Sequence, residues 1–520
     1  MESSIRESEW EKDNMENLNI PKDKFQFANK EEHLHDKKFE TKQVGYLHDA
    51  FNRFCRNKAS IFGAVIVLIL VLYAIFVPLV CSNSYTSNPQ DSAYLQYIRL
   101  LPKAKAFEWA GWDGCETREM SEATYLINRA IGVETGLDPV KKVKSVYQVQ
   151  QHQSFSTQYK VKYDSYYGLG MVYMTLTEEE YKDIQAWQNE NNIQVIYPAV
   201  DTNKLSAATK NNANYWYEVK GTAPVLDKDG NFQPIYRTSG NDGGYDSLRI
   251  EGDDGSYRYA TIGGDIENIS YKVRICNYNY FFYKFGFEPA FAFGTDALGR
   301  DIFFRLAQGA RFSFIFSLCI AAINFVIGAV YGAIEGYYGG ATDLIMERVA
   351  DILNGVPFIV VTTLFQLHLA GKVGIVPALL FAFVSTGWIG MAATTRMQFY
   401  RYKNQEYVLA ARTLGAKDRR IIWKHIFPNA LGTIITSFVL VIPSVIFSES
   451  SLTYLGIVNL EGSGTTSVGT MLAAGKNYLT TYPHIILFPA LFISLLMICF
   501  NLFGNGLRDA FNPSLRGVED

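Results

Sequence analysis

Cysteine is scarce, six in 520 residues, and that scarcity argues against a fold stapled by a disulfide framework. A single bridge between Cys115 and Cys276 is left open by their spacing. Charge of one sign is lacking too: 48 Lys and Arg stand against 51 Asp and Glu, for a formal charge of -3. Such a balance gives no ground for a nucleic-acid partner. The seven histidines show neither HExxH nor paired Cys/His spacing, no GxSxG elbow occurs, and no internal repeat is evident. GTMLAAGKN, Gly469–Asn477, comes near a nucleotide loop, but five residues rather than four separate its glycines and Asn477 replaces the magnesium-binding hydroxyl. DKDGNF (Asp227–Phe232), GNDGGYD and EGDDGS lack the ligand register and closing Glu of a calcium loop, and read as hairpin turns. No catalytic residue, metal site or cofactor of its own is expected, so the chain is not expected to be an enzyme.

What is present is long uncharged runs. Ile61–Val80 holds twenty residues without a charge, enough at about 1.5 Å per residue to cross roughly 30 Å of hydrocarbon. Apolar runs return at Phe312–Ile334, Pro357–Ala370, Ile375–Ala393, Ala430–Ile446 and Pro483–Phe503. Six spans result, of which Pro357–Ala370 is short and interrupted by Gln366 and His368. Arg53, Arg56 and Lys58 precede the first span, and Arg396, Arg401, Lys403, Arg412, Lys417, Arg419, Arg420 and Lys424 follow the fourth. The positive-inside rule then places both termini in the cytoplasm and the 210-residue stretch between the first two spans outside. On that topology Cys81, Cys115 and Cys276 are external, Cys55 is internal, and Cys319 and Cys499 lie within the membrane.

The domain order follows. Residues 1–44 read as a flexible cytoplasmic tail and residues 45–60 as an amphipathic helix, with Leu47, Ala50, Phe51 and Phe54 at helical spacing. That helix either lies on the membrane face or extends the first span. Residues 81–290 form an extracellular α+β insert domain. In it Thr177 and Glu180 open a helix to about Glu190 through a capping box, flanked by strands GMVYMTLT and IQVIYPAV. Residues 291–311 are an interfacial segment in which Gly294, Asp296, Gly299, Arg300 and Asp301 make a charged turn next to lipid. Residues 312–504 hold five further spans with a coupling loop at 405–429, and 505–520 a cytoplasmic tail.

Acids near or in the bilayer are costly there and face protein or an aqueous path. Asp343, Glu347, Arg348 and Asp351 read as an interfacial set of charge pairs. Glu449, late in the fifth span, has two readings, a structural acid held by neighbouring helices or a group lining a translocation path. Within Glu406–Ala430, Val408, Ala411 and Leu414 share one face of a short helix that Gly415 terminates in a left-handed conformation. A second helix carries Ile421, Ile422, His425 and Ile426 until Pro428 stops it. An inert basic loop needs no such shape, so a docking element for a cytoplasmic partner is the stronger reading.

GTDALGRD, GYYGGATDLIMERVAD, YVLAARTLGAKDRRIIWKHIFPNA, ESSLTYLG and GLRDAFNPSLR, in this order, resemble the permease subunits of bacterial ATP-binding-cassette importers, in the C-type dipeptide/oligopeptide branch. The likeness covers about residues 45–80 and 285–516. It implies an α-helical polytopic membrane protein of six transmembrane helices, of the type I importer kind, in the bacterial plasma membrane. It also implies a second permease subunit, two ATPase subunits carrying ATP and Mg, an extracellular substrate-binding lipoprotein, a peptide cargo and surrounding lipid. The coupling segment would comprise Glu406, Leu409, Ala410, Ala411, Gly415, Ile421, His425 and Pro428. Ala410, Ala411, Gly415 and Pro428 match the family pattern, whereas Leu409 stands where the signature has Glu. The large insert also departs from that pattern. Nickel chelates or other small solutes are alternative cargo. An ion-coupled transporter and a membrane-anchored receptor, with the insert as its working part, are alternative functions.

Overall fold

The computed structural model describes residues 46–82, 84–87, 95–151, 154–236, 247–251, 257–265, 268–461 and 464–511. The tail 1–44, GNDGGYD and all but the first residue of EGDDGS lie outside the described residues. Contacts divide the chain into two units, 1–53 and 54–520. Helix α1 (Tyr46–Arg56) crosses that boundary. It is separate from α2 (Lys58–Val80), because Asn57 turns extended between them and caps α2, its side-chain oxygen accepting from the Ala59 and Ser60 N–H groups at 3.1 and 3.3 Å.

Among the described residues the insert is an α+β structure with a three-stranded sheet, a five-stranded sheet and a short antiparallel pair, Val219–Lys220 with Ala223–Pro224. Strand β1 (Cys115–Ser121) leads into α3 (Glu122–Thr135) and a long hairpin, β2 (Val140–Gln151) and β3 (Ser154–Asp164), in antiparallel order β1-β3-β2. Strand β4 (Met171–Thr177) runs into α4 (Glu178–Asn191) through the expected capping box, Thr177 Oγ1 accepting from Glu180 N–H and the Glu180 carboxylate from Thr177 N–H. Strands β5 (Ile196–Tyr197), β6 (Ser247–Glu251), β7 (Tyr257–Asp265) and β8 (Asn268–Cys276) complete the second sheet, in order β4-β8-β7-β6 with β5 on β8. IQVIYPAV thus contributes two strand residues instead of a full strand. Asp227 accepts from the Asp229 and Asn231 N–H groups at 2.9 and 2.8 Å, closing the turn expected of DKDGNF; its bond from Asn231 holds its carboxyl below the usual range. Arg274 of β8, fully buried, ties the larger sheet to α3: its guanidinium donates to both Glu134 oxygens at 2.8 Å and to the Ala213 and Pro198 carbonyls. All six cysteines are free thiols, and burial pushes those of Cys115 and Cys276 up to about 11.

Helix α5 (Asn277–Phe285) precedes the membrane part. Next come α6 (Ile302–Tyr338), α7 (Gly340–Asn354), α8 (Phe358–Val373), α9 (Ile375–Gly387), α10 (Ile389–Tyr402) and α11 (Glu406–Thr413). The last are α12 (Asp418–Tyr454), α13 (Val468–Gly475) and α14 (His484–Phe511). Among the described residues five helical segments reach span size by length and composition: α2, α6, α9 with α10, α12 and α14. The bent pair α7 and α8, meeting at 72°, makes a sixth if it is one span. α8 has only 16 residues, which accounts for the weak third run in the hydropathy. α6 and α12 overrun their apolar runs at both ends and α14 at its C-terminal end: residues 302–311, assigned by pattern to an interfacial segment, are the first turns of α6, and 505–511 of the expected tail continue α14. Polar ends packed against other protein remain helical after hydropathy has fallen.

The tightest helix pair is α6 against α10. Gly328, Gly332 and Gly336, four apart on α6, face it, and a Cβ on Gly332 would lie 2.1 Å from the Ala392 carbonyl oxygen. Backbones meet directly there, as small residues at four-residue spacing permit in membranes. At the N-terminal end of α6, Leu70, Ile302, Leu306, Ala310, Ile446, Val468, Phe492 and Leu496 form one core joining α2, α6, α12, α13 and α14.

Candidate functional site

The charged stretch that follows α10 folds into a knuckle. α11 ends at Leu414, and Gly415 at φ +80° donates to Arg412 O at 3.0 Å while Ala416 N–H reaches back to Ala411 O at 3.0 Å. This double bond pattern satisfies the last carbonyls of α11 and requires the left-handed residue anticipated from the sequence. The remainder differs from the pattern in two places. Pro428 does not stop the second helix: α12 runs from Asp418 through it to Tyr454. Residues Ile421–Ile426 adopt widened turns, with Phe427 N–H donating to Ile422 O five residues back. That extra residue per turn gives the proline ring room and removes the need for its missing donor. Leu414 does not share the inward face of Val408: it lies about 120° round the helix from it and is 88% exposed, while Val408 is fully buried.

Burial sorts the expected coupling residues. Ile421 is buried with Val408, Ile422 and Ile426 against Ala333, Tyr337 and Phe399, so it anchors the knuckle and is not on its surface. Ala411 and His425 are half-buried; Glu406, Leu409, Ala410, Gly415 and Pro428 are exposed. The outer face therefore offers Leu409, Ala410 and Leu414, an apolar tip among Arg412, Lys417, Arg419 and Arg420. Tyr337, at the end of α6, donates to Asp418 Oδ1 at 2.6 Å and ties this helix to the knuckle. Nothing in the sequence pattern had singled Tyr337 out.

Beside it, the acids of α7 are paired through Arg396 of α10. Its guanidinium donates to Asp343 at 2.6 and 2.9 Å and to Glu347 at 2.8 and 2.9 Å, with Glu335 3.5 Å away. Asp343 and Glu347 thus belong to a set of charge pairs, and Arg348 pairs with Asp351 at 2.9 Å. Arg396 fastens α6, α7 and α10 together directly before the knuckle.

Glu449 of α12 is fully buried. Four hydroxyls donate to it: Ser467 at 2.7 Å and Thr453 at 3.2 Å to one oxygen, Ser313 and Ser450 at 3.3 Å to the other. Ser467 also caps α13 by accepting from Thr470 N–H at 3.1 Å. The carboxylate joins α12 to α6 and to the start of α13, the arrangement of a structural acid.

On the insert side, Gly294–Asp301 is a folded turn. Asp296 accepts from the Leu298 and Arg300 N–H groups, both at 2.9 Å, and from Arg300 Nε at 2.8 Å. Gly294 and Gly299 take left-handed φ of +77° and +80°, and Asp301 caps α6 by accepting from Phe303 N–H at 2.9 Å. Burial pushes the Asp301 carboxyl up to about 7, against the opposing pull of that backbone bond. The turn also seats the insert: Thr295 Oγ1 accepts from Leu100 N–H at 2.8 Å, Thr295 N–H donates to Leu100 O at 3.0 Å, and Tyr85 donates to Gly299 O. Phe293 stacks on Phe488 of α14, with ring centres 4.1 Å apart.

These features define a polytopic helical membrane protein whose bundle carries a rigidly mounted surface knuckle, the build of a transport permease. Residues 325–517 match the family described as binding-protein-dependent transport system inner membrane component, and residues 45–102 match the N-terminal TM domain of oligopeptide transport permease C. The chain is 46% identical over 224 residues to the oligopeptide transport system permease protein OppC of Bacillus subtilis (strain 168), covering 43% of this chain and 72% of that protein. It is 43% identical over 225 residues to the dipeptide transport system permease protein DppC of the same organism, covering 43% and 69%. It is 36% identical over 232 residues to OppC of Escherichia coli (strain K12), covering 44% and 74%. The chain belongs to the oligopeptide/dipeptide permease family of ABC transporters. Residues 103–324, which contain nearly all of the insert, lie between the two family matches.

Proposed function

We propose that this chain is one of two permease subunits of an ATP-driven peptide importer in a bacterial plasma membrane. Its knuckle faces the cytoplasm and its insert the exterior. It encloses the translocation path with the second permease, receives peptide from an extracellular binding lipoprotein, and does no chemistry itself. Two separate ATPase subunits bind ATP and Mg and move Glu406–Pro428. Rigid tilting of the helices then exchanges inward and outward access.

The observation that carries this reading is the knuckle's construction. An exposed apolar tip, Leu409, Ala410 and Leu414, stands on a buried anchor that packs on Ala333, Tyr337 and Phe399 and that Tyr337 bonds to α6, while Arg396 fastens α6, α7 and α10 to one another. A contact at the tip therefore has a stiff route into the bundle. Leu409, in place of the signature Glu, makes that contact more apolar. The test is thiol cross-linking of a Leu414→Cys variant, purified with its co-expressed ATPases in mild detergent. A covalent adduct with an ATPase subunit, formed more slowly in the presence of a non-hydrolysable ATP analogue or vanadate than without, is expected. Absence of any adduct while the ATPases co-purify would place their contact elsewhere.

A further inference from the structure

Between the end of α2, the Tyr85 segment, the first three turns of α6 and the residues leading to α13 lies a cavity of about 590 Å³. Arg300, Arg305 and Arg311 line it, with Asp301 and Glu461 as its acids and Gln308 and Thr466 among its neutral polar groups. The acids are already engaged. Asp301 caps α6, and Glu461 is nearest to Arg300 at 3.3 Å, reaching Arg305 only at 3.9 Å. Arg300 is further paired with Asp296 at 2.8 Å.

Two arginines are left under-compensated. The Arg305 side chain is 12% exposed, gives one hydrogen bond at 3.2 Å to Thr466 Oγ1, and has a buried Nε with no partner. Arg311, two turns along α6, has no hydrogen bond or ion pair among the described residues, although it lines the same cavity. Arg305 carries the cost of a guanidinium withdrawn from water without matching acceptors, whereas Arg311 is exposed at the rim and its guanidinium is open to a ligand. The planar guanidinium fork suits the oxygens of a phosphate or carboxylate. Gln308, between the two arginines on the helix, adds an amide donor.

We propose that this cavity is a binding site for a single oxyanion group, a phosphate or a carboxylate, held by Arg305 and Arg311. The volume leaves room for a larger body attached to that group. Its position at the insert-side end of α6, where the long apolar run begins, admits two sources. One is the phosphate of a phospholipid in the adjacent leaflet. The other is the terminal carboxylate of a peptide, which rests on the importer reading above.

The test uses the full chain in its co-purified assembly, with Arg311→Gln, Arg305→Gln and the charge-preserving Arg305→Lys. Arg311 is exposed, so R311Q is the variant least disturbing to the fold, and equal thermal midpoints check this. In one arm, native mass spectrometry counts phospholipid retained through delipidation with zwitterionic detergent. In the other, reconstituted assemblies take up one tetrapeptide offered as the free acid or as the C-terminal amide. A lipid site predicts one retained phospholipid in wild type and R305K, lost in R311Q and R305Q, with the acid-to-amide preference unchanged. A peptide site predicts that a preference for the free acid of about tenfold in KM collapses toward unity in R311Q and R305Q. Wild-type lipid retention and peptide preference in both Gln variants would overturn the proposal. Failure of wild type to take up either peptide would count against the importer reading and leave the lipid arm standing.

Discussion

Glu449 distinguishes two roles that a buried acid in a membrane helix can have, because its four hydroxyl donors leave no oxygen facing open space. Replacing it by Gln keeps an acceptor and a similar shape, and the surrounding hydroxyls can rotate to suit. Glu449→Gln should therefore retain peptide uptake within a few-fold and nearly the wild-type thermal midpoint. Glu449→Leu strands those hydroxyls, and hydrogen bonds to a charged group are worth about 1.5–3 kcal/mol, so the midpoint should drop by several degrees. A variant Gln protein with unchanged stability and abolished uptake would instead speak for a path-lining acid. The sequence identified Glu449 but left its role open, since Ser313 and Ser467 are far away along the chain and their convergence is a product of packing. Arg396 is similar: the acids it clamps, Asp343 and Glu347, were legible as members of a charge-pair set, but the cation belongs to a different helix. Leu414 departs from the expected face for a local reason: six residues at about 100° each carry it about 120° round the helix from Val408.

Among the elements, hydropathy located the long apolar helices of the described residues and some of their ends, Val80 and Ile375, but not those of α6, α12 or the C-terminal end of α14. Desolvation by lipid sets the apolar runs, whereas helix ends such as Arg305 on α6 are set by contacts with other protein. The α6 glycines at 328, 332 and 336 carry a readable four-residue spacing that points to close helix packing, and it went unused. Gly332→Leu should prevent α6 and α10 from meeting and abolish a monodisperse peak in detergent chromatography. Gly390→Leu, with nothing within 4 Å of its added Cβ, should leave the peak intact and serve as the control. In the insert, the capping box of α4 was legible because it is local, but the pairing of β8 with β4, β7 and β5 was not. Neither was the buried ion pair between Glu134 and Arg274. Glu134→Ala leaves that guanidinium without its counter-charge and should destabilise the insert by about 3–5 kcal/mol. Hydrogen exchange along Asn268–Cys276 should then accelerate. Replacing both members by apolar residues should restore much of the protection, and failure to do so would mean that the pair sustains more than its own charges.

At the scale of the molecule, the insert is built onto the permease and is not a pendant domain. Leu100, Tyr85 and Phe293 join it to the Gly294–Asp301 turn and to α14, so movement of α6 or α14 bears on its base. At the opposite end of α6, Tyr337 meets the knuckle. One helix thus connects the proposed point of force entry to the seat of the insert. The sequence resemblance located the knuckle and could not describe the insert, because the family matches leave residues 103–324 between them.

The central claim is that motion driven by separate ATPases enters through the knuckle. The most direct measurement is the number of peptides imported per ATP hydrolysed by the reconstituted assembly carrying Gly415→Val. A β-branched residue at φ +80° strains the turn and displaces the tip while leaving the buried anchor in place. The account predicts that hydrolysis persists and the ratio falls at least tenfold; a ratio equal to that of the wild type would contradict it.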